Sequence, residues 1–208
     1  MREERSGGKT SLARGRDIIL IALVTLVLIA TSLAVTLYLD AKENEDALQR
    51  SQDWIVLQLA TGLVQIENGL MFSLNESYSV AERLDYSFAT LSGFGSVFWS
   101  TRELMEMFDS SSRRYEVFQM VSTASSEVNS KFMEFVHYPL FNNITKDDPY
   151  EVNSTVVSVL TGVTTDLDEI RLEASKSDPE ESRSKVSMMD LDVMYDAAAR
   201  IVAEVTDL

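Results

Sequence analysis

Twenty-two consecutive residues, Ile18–Leu39, carry no charge, proline or glycine, and only Thr25, Thr31, Ser32, Thr36 and Tyr38 break the aliphatic run. A helix rises about 1.5 Å per residue, so this run covers roughly 33 Å, enough to cross a hydrocarbon core of about 30 Å. In lipid a helix satisfies its own backbone hydrogen bonds, and a lone apolar segment has no other way to do so. The run is read as a transmembrane helix, with Tyr38 at the headgroup level where amphipathic rings prefer to sit.

The flanks give the orientation. Arg2, Arg5, Lys9, Arg14 and Arg16 precede the run, while from Asp40 onward 13 basic residues face 30 acidic ones. Basic residues beside a span are retained in the cytoplasm. The expected organisation is a basic cytoplasmic tail (1–17), a signal-anchor span (18–39) and an acidic extracytoplasmic domain (40–208). Ser32-Leu33-Ala34 also offers small residues to a signal peptidase, with Ile18–Ile29 as an h-region. The run continues five residues past Ala34 and no helix breaker precedes that site, so an uncleaved anchor is expected.

The 208 residues contain no cysteine, which excludes disulfides, thiolate metal ligands, thiol catalysis, c-type haem attachment and a lipoprotein anchor. A disulfide-free outer domain is ordinary for a bacterium or archaeon and unusual on an animal cell surface. A net charge of −15 argues against a nucleic-acid partner.

The outer part reads as all-α, an up-and-down bundle of four to five helices. Val56, Leu59, Leu63, Ile66, Leu70 and Leu74 form the inward stripe of a first helix, Asp40 to about Leu74, continuous with the span. Ser79-Val80-Ala81-Glu82 is a capping box opening a second, with Val80, Leu84, Phe88 and Leu91 inward. Gly93 and Gly95, followed by a capping-box pattern at Ser100–Glu103, predict a kink or a split. A third helix from Ser112 places Phe118, Val121, Val128, Phe132 and Phe135 inward and ends before Pro139.

Asp148-Pro149 and Asp178-Pro179 read as N-cap and first helical residue of a fourth and a fifth helix. Their inward residues are Val156, Val159, Leu160, Val163, Leu167 and Ile170, then Val186, Met189, Met194, Ile201 and Val205. The loop Phe141–Asp148 is the longest polar connection. Gly62 and Gly69, seven apart on one face, are placed to admit a close helix neighbour.

Residues able to carry chemistry are few. Glu134-Phe135-Val136-His137 has the Glu-x-x-His spacing of di-iron bundles, but a second copy is needed and His137 is the sole histidine. The expectation is a histidine at a helix end. Asp166/Asp168 and Asp190/Asp192 diverge when two apart on a helix and read as solvated faces, not a calcium loop. No Ser-His-Asp set, phosphate loop or dinucleotide fingerprint is present, so neither enzyme activity nor a cofactor or metal is expected.

Three features remain. Phe94, Phe98 and Trp99 form the densest aromatic patch and the first choice for a partner surface. Arg113-Arg114 at a helix start is a candidate anion site. Asn75, Asn143 and Asn153 begin N-glycosylation sequons on the expected outer side, Asn143 being favoured as a loop position.

The first functional expectation is a membrane-anchored interaction module, an accessory or structural subunit that meets an envelope or membrane protein and is a candidate homo-oligomer. A second reading is a sensory ectodomain. The outline is similar to the four-helix ligand domains of chemoreceptors and sensor kinases, a likeness of architecture resting on no motif. It would need a separate signalling partner. A third reading is a filament subunit: the leader and apolar helix are superficially similar to prepilins, with Arg14-Gly15 at the cleavage position, although Arg16-Asp17 follows.

Overall fold

The computed structural model describes residues 7–144, 150–176 and 185–208, the side chains of 7–25 and 185 aside. The described residues are helical throughout, with turns but no strand: α1 (Gly7–Ser73), α2 (Val80–Glu106), α3 (Arg113–Phe132), α4 (Tyr138–Asn143), α5 (Ser154–Ala174), α6 (Lys185–Met188) and α7 (Leu191–Thr206). A π-helical turn, Met133–His137, joins α3 to α4. The chain divides into two compact units, Met1–Leu48 and Gln49–Leu208.

The described part of the first unit, from Gly7, is a single stretch of helix. Every residue from Leu26 to Leu48 is exposed, Leu26, Leu28, Ile29, Leu33, Leu37 and Leu39 included. Two of its hydroxyls turn back onto the helix: Thr31 Oγ1 donates to the Val27 carbonyl at 2.8 Å and Thr36 Oγ1 to that of Ser32 at 3.0 Å. Among the described residues α1 is the one helix long and apolar enough to cross a membrane. It runs without a break to Ser73, as the absence of a turn signal predicts.

The second unit is a helical bundle around one core. All six predicted inward residues of the first helix, Val56 to Leu74, are buried. Opposite them α2 lies antiparallel and unusually close. A Cβ on Gly93 would stand 2.8 Å from the Gly62 carbonyl oxygen and 2.9 Å from the Ile66 nitrogen, and one on Gly69 would overlap Thr90. Gly62 and Gly69 therefore do admit a close neighbour.

The same contact bears on the reading of α2 as kinked or split at Gly93 and Gly95: the split is corrected, for α2 is one helix from Val80 to Glu106. Gly93 marks a backbone crossing, and the packing gained there outweighs its weak helix propensity of about 1 kcal/mol. The Ser100–Glu103 pattern is likewise no cap. Ser100 and Thr101 are buried mid-helix, and Thr101 Oγ1 donates to the Val97 carbonyl at 2.8 Å. The Ser79 box is real: Ser79 N–H donates to Glu82 at 2.9 Å and the Ser79 hydroxyl accepts from Glu82 N–H at 3.3 Å. Phe88, expected inward, is half-exposed because Leu84 and Ser87 take the core-facing positions.

Ser112 caps α3, accepting from Tyr115 N–H. Phe118, Val121, Val128 and Phe132 are buried and Phe135 partly so. The helical path does not stop before Pro139. The π-turn widens the spiral, with Tyr138 N–H donating five residues back to Met133, and Pro139 enters the first turn of α4, where its missing N–H is tolerated. Phe141–Asn143 are thus helical and not loop.

Asn153 is the observed N-cap of α5, accepting from Thr155 N–H at 2.8 Å; Asp148-Pro149 and Asp178-Pro179 lie outside the described residues. The expected fifth helix is divided: α6 ends at Met188, and Asp190 caps α7 by accepting from Asp192 and Val193 N–H. The inward residues read for these helices are buried, Val159 partly. α5 and α7 are antiparallel, Arg200 meeting Asp166 and Gly162 facing Glu204. α7 also packs along α3, and those two helices begin at the same end, where Arg113 bonds Asp192 at 2.7 Å. α1 and α2 are thus antiparallel, as are α5 and α7, but α3 and α7 form a parallel pair.

Candidate functional site

The aromatic patch of α2 divides between two faces. Phe94 and Phe98, four residues apart, lie on one helix face toward α3, while Trp99, about 100° further round, turns toward α1. Phe94 is buried against Phe132 at a centroid distance of 6.2 Å. Trp99, 41% exposed, meets Trp54 of α1 edge-on at 5.5 Å. Phe98, 56% exposed, stands on the α3 side.

There α2 and α3 leave a groove of about 360 Å³. It exists because Gly95, Ser125 and Ser126 are small: a Cβ on Gly95 would meet nothing within 4 Å. Leu91, Phe94, Phe98 and Met133 give it apolar walls, and Asn129 contributes a buried Oδ1 with no hydrogen-bond partner among the described residues. An apolar cleft with one unmet acceptor suits a small, mostly apolar group carrying a donor. Gly95 was legible only as a helix weakener, and Asn129 gave no sequence signal.

Arg113 and Arg114 do not present two vacant guanidinium groups. Arg113 is held by Asp192 and by Glu116 at 2.9 Å, and its guanidinium lies 4.4 Å over the Tyr195 ring. The two carboxylates hold its pKa above the ordinary arginine value. Arg114 lies 5.4 Å over Phe108. A helix N-terminus whose arginine is already paired has little left to attract an anion.

His137 and Glu134 also part company. The π-turn directs His137 inward, where its Nδ1 is 2.9 Å from Ser87 Oγ, while Glu134 stays exposed. Ser87 donates its own proton to the Leu84 carbonyl at 2.6 Å, so the histidine donates from Nδ1. Phe88, Tyr138 and Phe141 ring the imidazole, and burial lowers its pKa. No group of three His, Cys, Asp or Glu among the described residues is placed to hold a metal.

The acidic triplets differ from a uniform solvated face. Asp166 is buried and paired with Arg200 at 2.8 Å, and Arg200 also reaches Glu169. Asp168 pairs with Arg171, which reaches Glu67 of α1 at 3.3 Å. Asp190 is a cap and Asp192 holds Arg113.

A structural anchor absent from the sequence reading is Arg83. It is almost fully buried and donates from Nε to the Ser73 carbonyl and from Nη1 to that of Tyr150, both at 2.8 Å. Tyr150 in turn donates to the Phe135 carbonyl at 3.0 Å. One side chain thus ties the end of α1 to the approach to α5, and burial lowers its pKa.

Of the sequon asparagines, Asn75 and Asn153 are exposed. Asn75 Oδ1 accepts from Ser77 N–H in the α1–α2 turn, and Asn153 is the α5 cap. Asn143 closes α4 and is not in a loop; its amide nitrogen donates to the Pro139 carbonyl at 2.8 Å. No family model, curated protein or solved structure matches this chain.

Proposed function

We propose that this protein is a membrane-anchored interaction module: a single span with a cytoplasmic N-terminus carries a helical bundle outside the cytoplasm, as an accessory or structural subunit of a membrane or envelope complex. The observation that carries it is the uncovered apolar helix. From Leu26 to Leu39 the aliphatic side chains are exposed, Leu26, Leu28, Ile29, Leu33, Leu37 and Leu39 among them. Each large one left in water forgoes about 1.5–3 kcal/mol of burial, and lipid supplies that burial on all sides at once. The inward-bonded Thr31 and Thr36 hydroxyls suit the same surroundings. The basic flank supports the orientation, and the acidic bundle suits a protein partner better than an anionic surface.

The absence of native cysteine makes the test clean. Ser126→Cys, at an exposed position, should react with a membrane-impermeant maleimide on intact cells, and Ser6→Cys only after permeabilisation. The chain should resist alkaline carbonate extraction. Extraction, or the reverse labelling pattern, defeats the proposal.

The groove beside Phe98 favours a second reading, a ligand-binding ectodomain working with a separate signalling partner. Its unmet Asn129 acceptor is the specific support. Filling the groove with Gly95→Leu should then abolish signalling by the partner while leaving the fold intact; unchanged signalling removes this reading.

A further inference from the structure

Within the bundle, the solvent face of α1 is unlike an ordinary exposed helix face. Trp54, Leu57, Thr61, Val64, Asn68 and Met71 follow one another at alternating spacings of three and four, and all are exposed. The apolar four are 54%, 50%, 37% and 56% exposed in that order. In a chain with a net charge of −15, the one charged residue between Trp54 and Ser73 is Glu67, and it is turned to Arg171 of α5. A solvated helix normally carries charge on its outer face; this one carries the a/d pattern of a two-stranded seam.

We propose that a second copy of this chain packs along the stripe, parallel and in register. Charge selects the occupant. Two chains this acidic repel wherever charged faces meet, and the stripe, flanked by Gln58 and Gln65, is a strip on which like copies approach without opposing carboxylates. Register follows from the polar layers: in a parallel, in-register pair Asn68 meets its own copy, the arrangement that fixes coiled-coil register and two-strandedness. Thr61 already donates to the Leu57 carbonyl at 2.8 Å and enters the seam without an unmet donor.

The parallel sense rests on the proposed span, since two chains anchored in one membrane present α1 the same way up. Four half-exposed apolar side chains are less than the roughly 800 Å² per partner of a standard interface. The pair therefore depends on the high effective concentration that a shared membrane provides.

Single cysteines read the seam in the full-length protein in its membrane. With a short bismaleimide, Thr61→Cys and Asn68→Cys should each give like-with-like dimers at least tenfold above Ser126→Cys on α3. Adding Leu57→Glu with Met71→Glu should reduce that yield at least tenfold without loss of helical circular dichroism, because both side chains are exposed. Yields at Thr61→Cys no higher than at Ser126→Cys overturn the proposal. So does a mixed Leu57→Cys with Met71→Cys cross-link exceeding the like-with-like products, which would mark an antiparallel pair. Carbonate extraction is scored on the same samples and the cross-link on whichever fraction holds the chain. Loss of anchoring and loss of the seam are then separate results.

Discussion

The same substitution, glycine to alanine, is expected to have opposite signs two residues apart on α2. Alanine gains about 0.8–1 kcal/mol of helix propensity over glycine in a helix interior. At Gly95 nothing lies within 4 Å of the new methyl, so most of that gain should appear as stability. At Gly93 the methyl would stand 2.8 Å from the Gly62 carbonyl oxygen and 2.9 Å from both the Ile66 nitrogen and Cγ1. Two of those atoms are backbone, so α1 and α2 must separate, and overpacking of this kind costs about 1–3 kcal/mol. The net expectation is a gain of up to about 1 kcal/mol for Gly95→Ala and a loss of about 1 kcal/mol for Gly93→Ala. For a unit of this size that is a rise and a fall of about 2–4 °C in melting temperature. Urea midpoints of the full chain in detergent micelles, followed by circular dichroism, separate the two. Shifts of the same sign at both positions would refute the close α1–α2 crossing.

Three further outcomes follow from single side chains. Burial holds the His137 pKa below its ordinary 6.5, so the neutral ring is the folded form. Its stabilisation is complete above about pH 6.5 and declines as pH falls toward the folded pKa; His137→Gln should flatten that acid limb in urea midpoints, and an unchanged limb would assign it elsewhere. Arg200→Met leaves the buried Asp166 without its partner and should cost on the order of 1 kcal/mol, moderated because Arg200 is half-exposed. Adding Asp166→Leu should recover most of that loss, and additive losses in the double-mutant cycle would contradict the pairing. Asn153→Ala removes the α5 cap and should lower stability by about 1 kcal/mol, read by thermal melting of the unglycosylated protein.

The core was largely legible from its period. Val56 through Leu74, the α5 stripe and Met194 through Val205 recur at helical spacing, and burial follows because each helix has one face to hide. The capping box at Ser79 was legible for a similar reason: its hydrogen bonds are local. What failed were local rules overridden by distant contacts. Gly93 reads as a break until Gly62 is known to lie against it. Pro139 reads as a stop until a π-turn gives its ring room. Phe88 fits the stripe, yet Ser87 takes the inward place beside His137. The groove was hidden altogether, since Gly95, Ser125 and Asn129 face one another only after α2 and α3 pair.

By itself the sequence determined that this chain is helical, that Ile18–Leu39 is long and apolar enough to cross a membrane, and that thiol chemistry is absent. Those properties depend on spacing, length and residue type, which need no partner to be defined. Tertiary structure alone decided that α2 is unbroken, that α3 and α7 run in the same sense, that Arg113 is already paired, and that Trp54, Leu57, Val64 and Met71 stay exposed on α1. Each of these depends on which surfaces meet, and the free energy of such meetings exceeds the roughly 1 kcal/mol preferences that local sequence expresses.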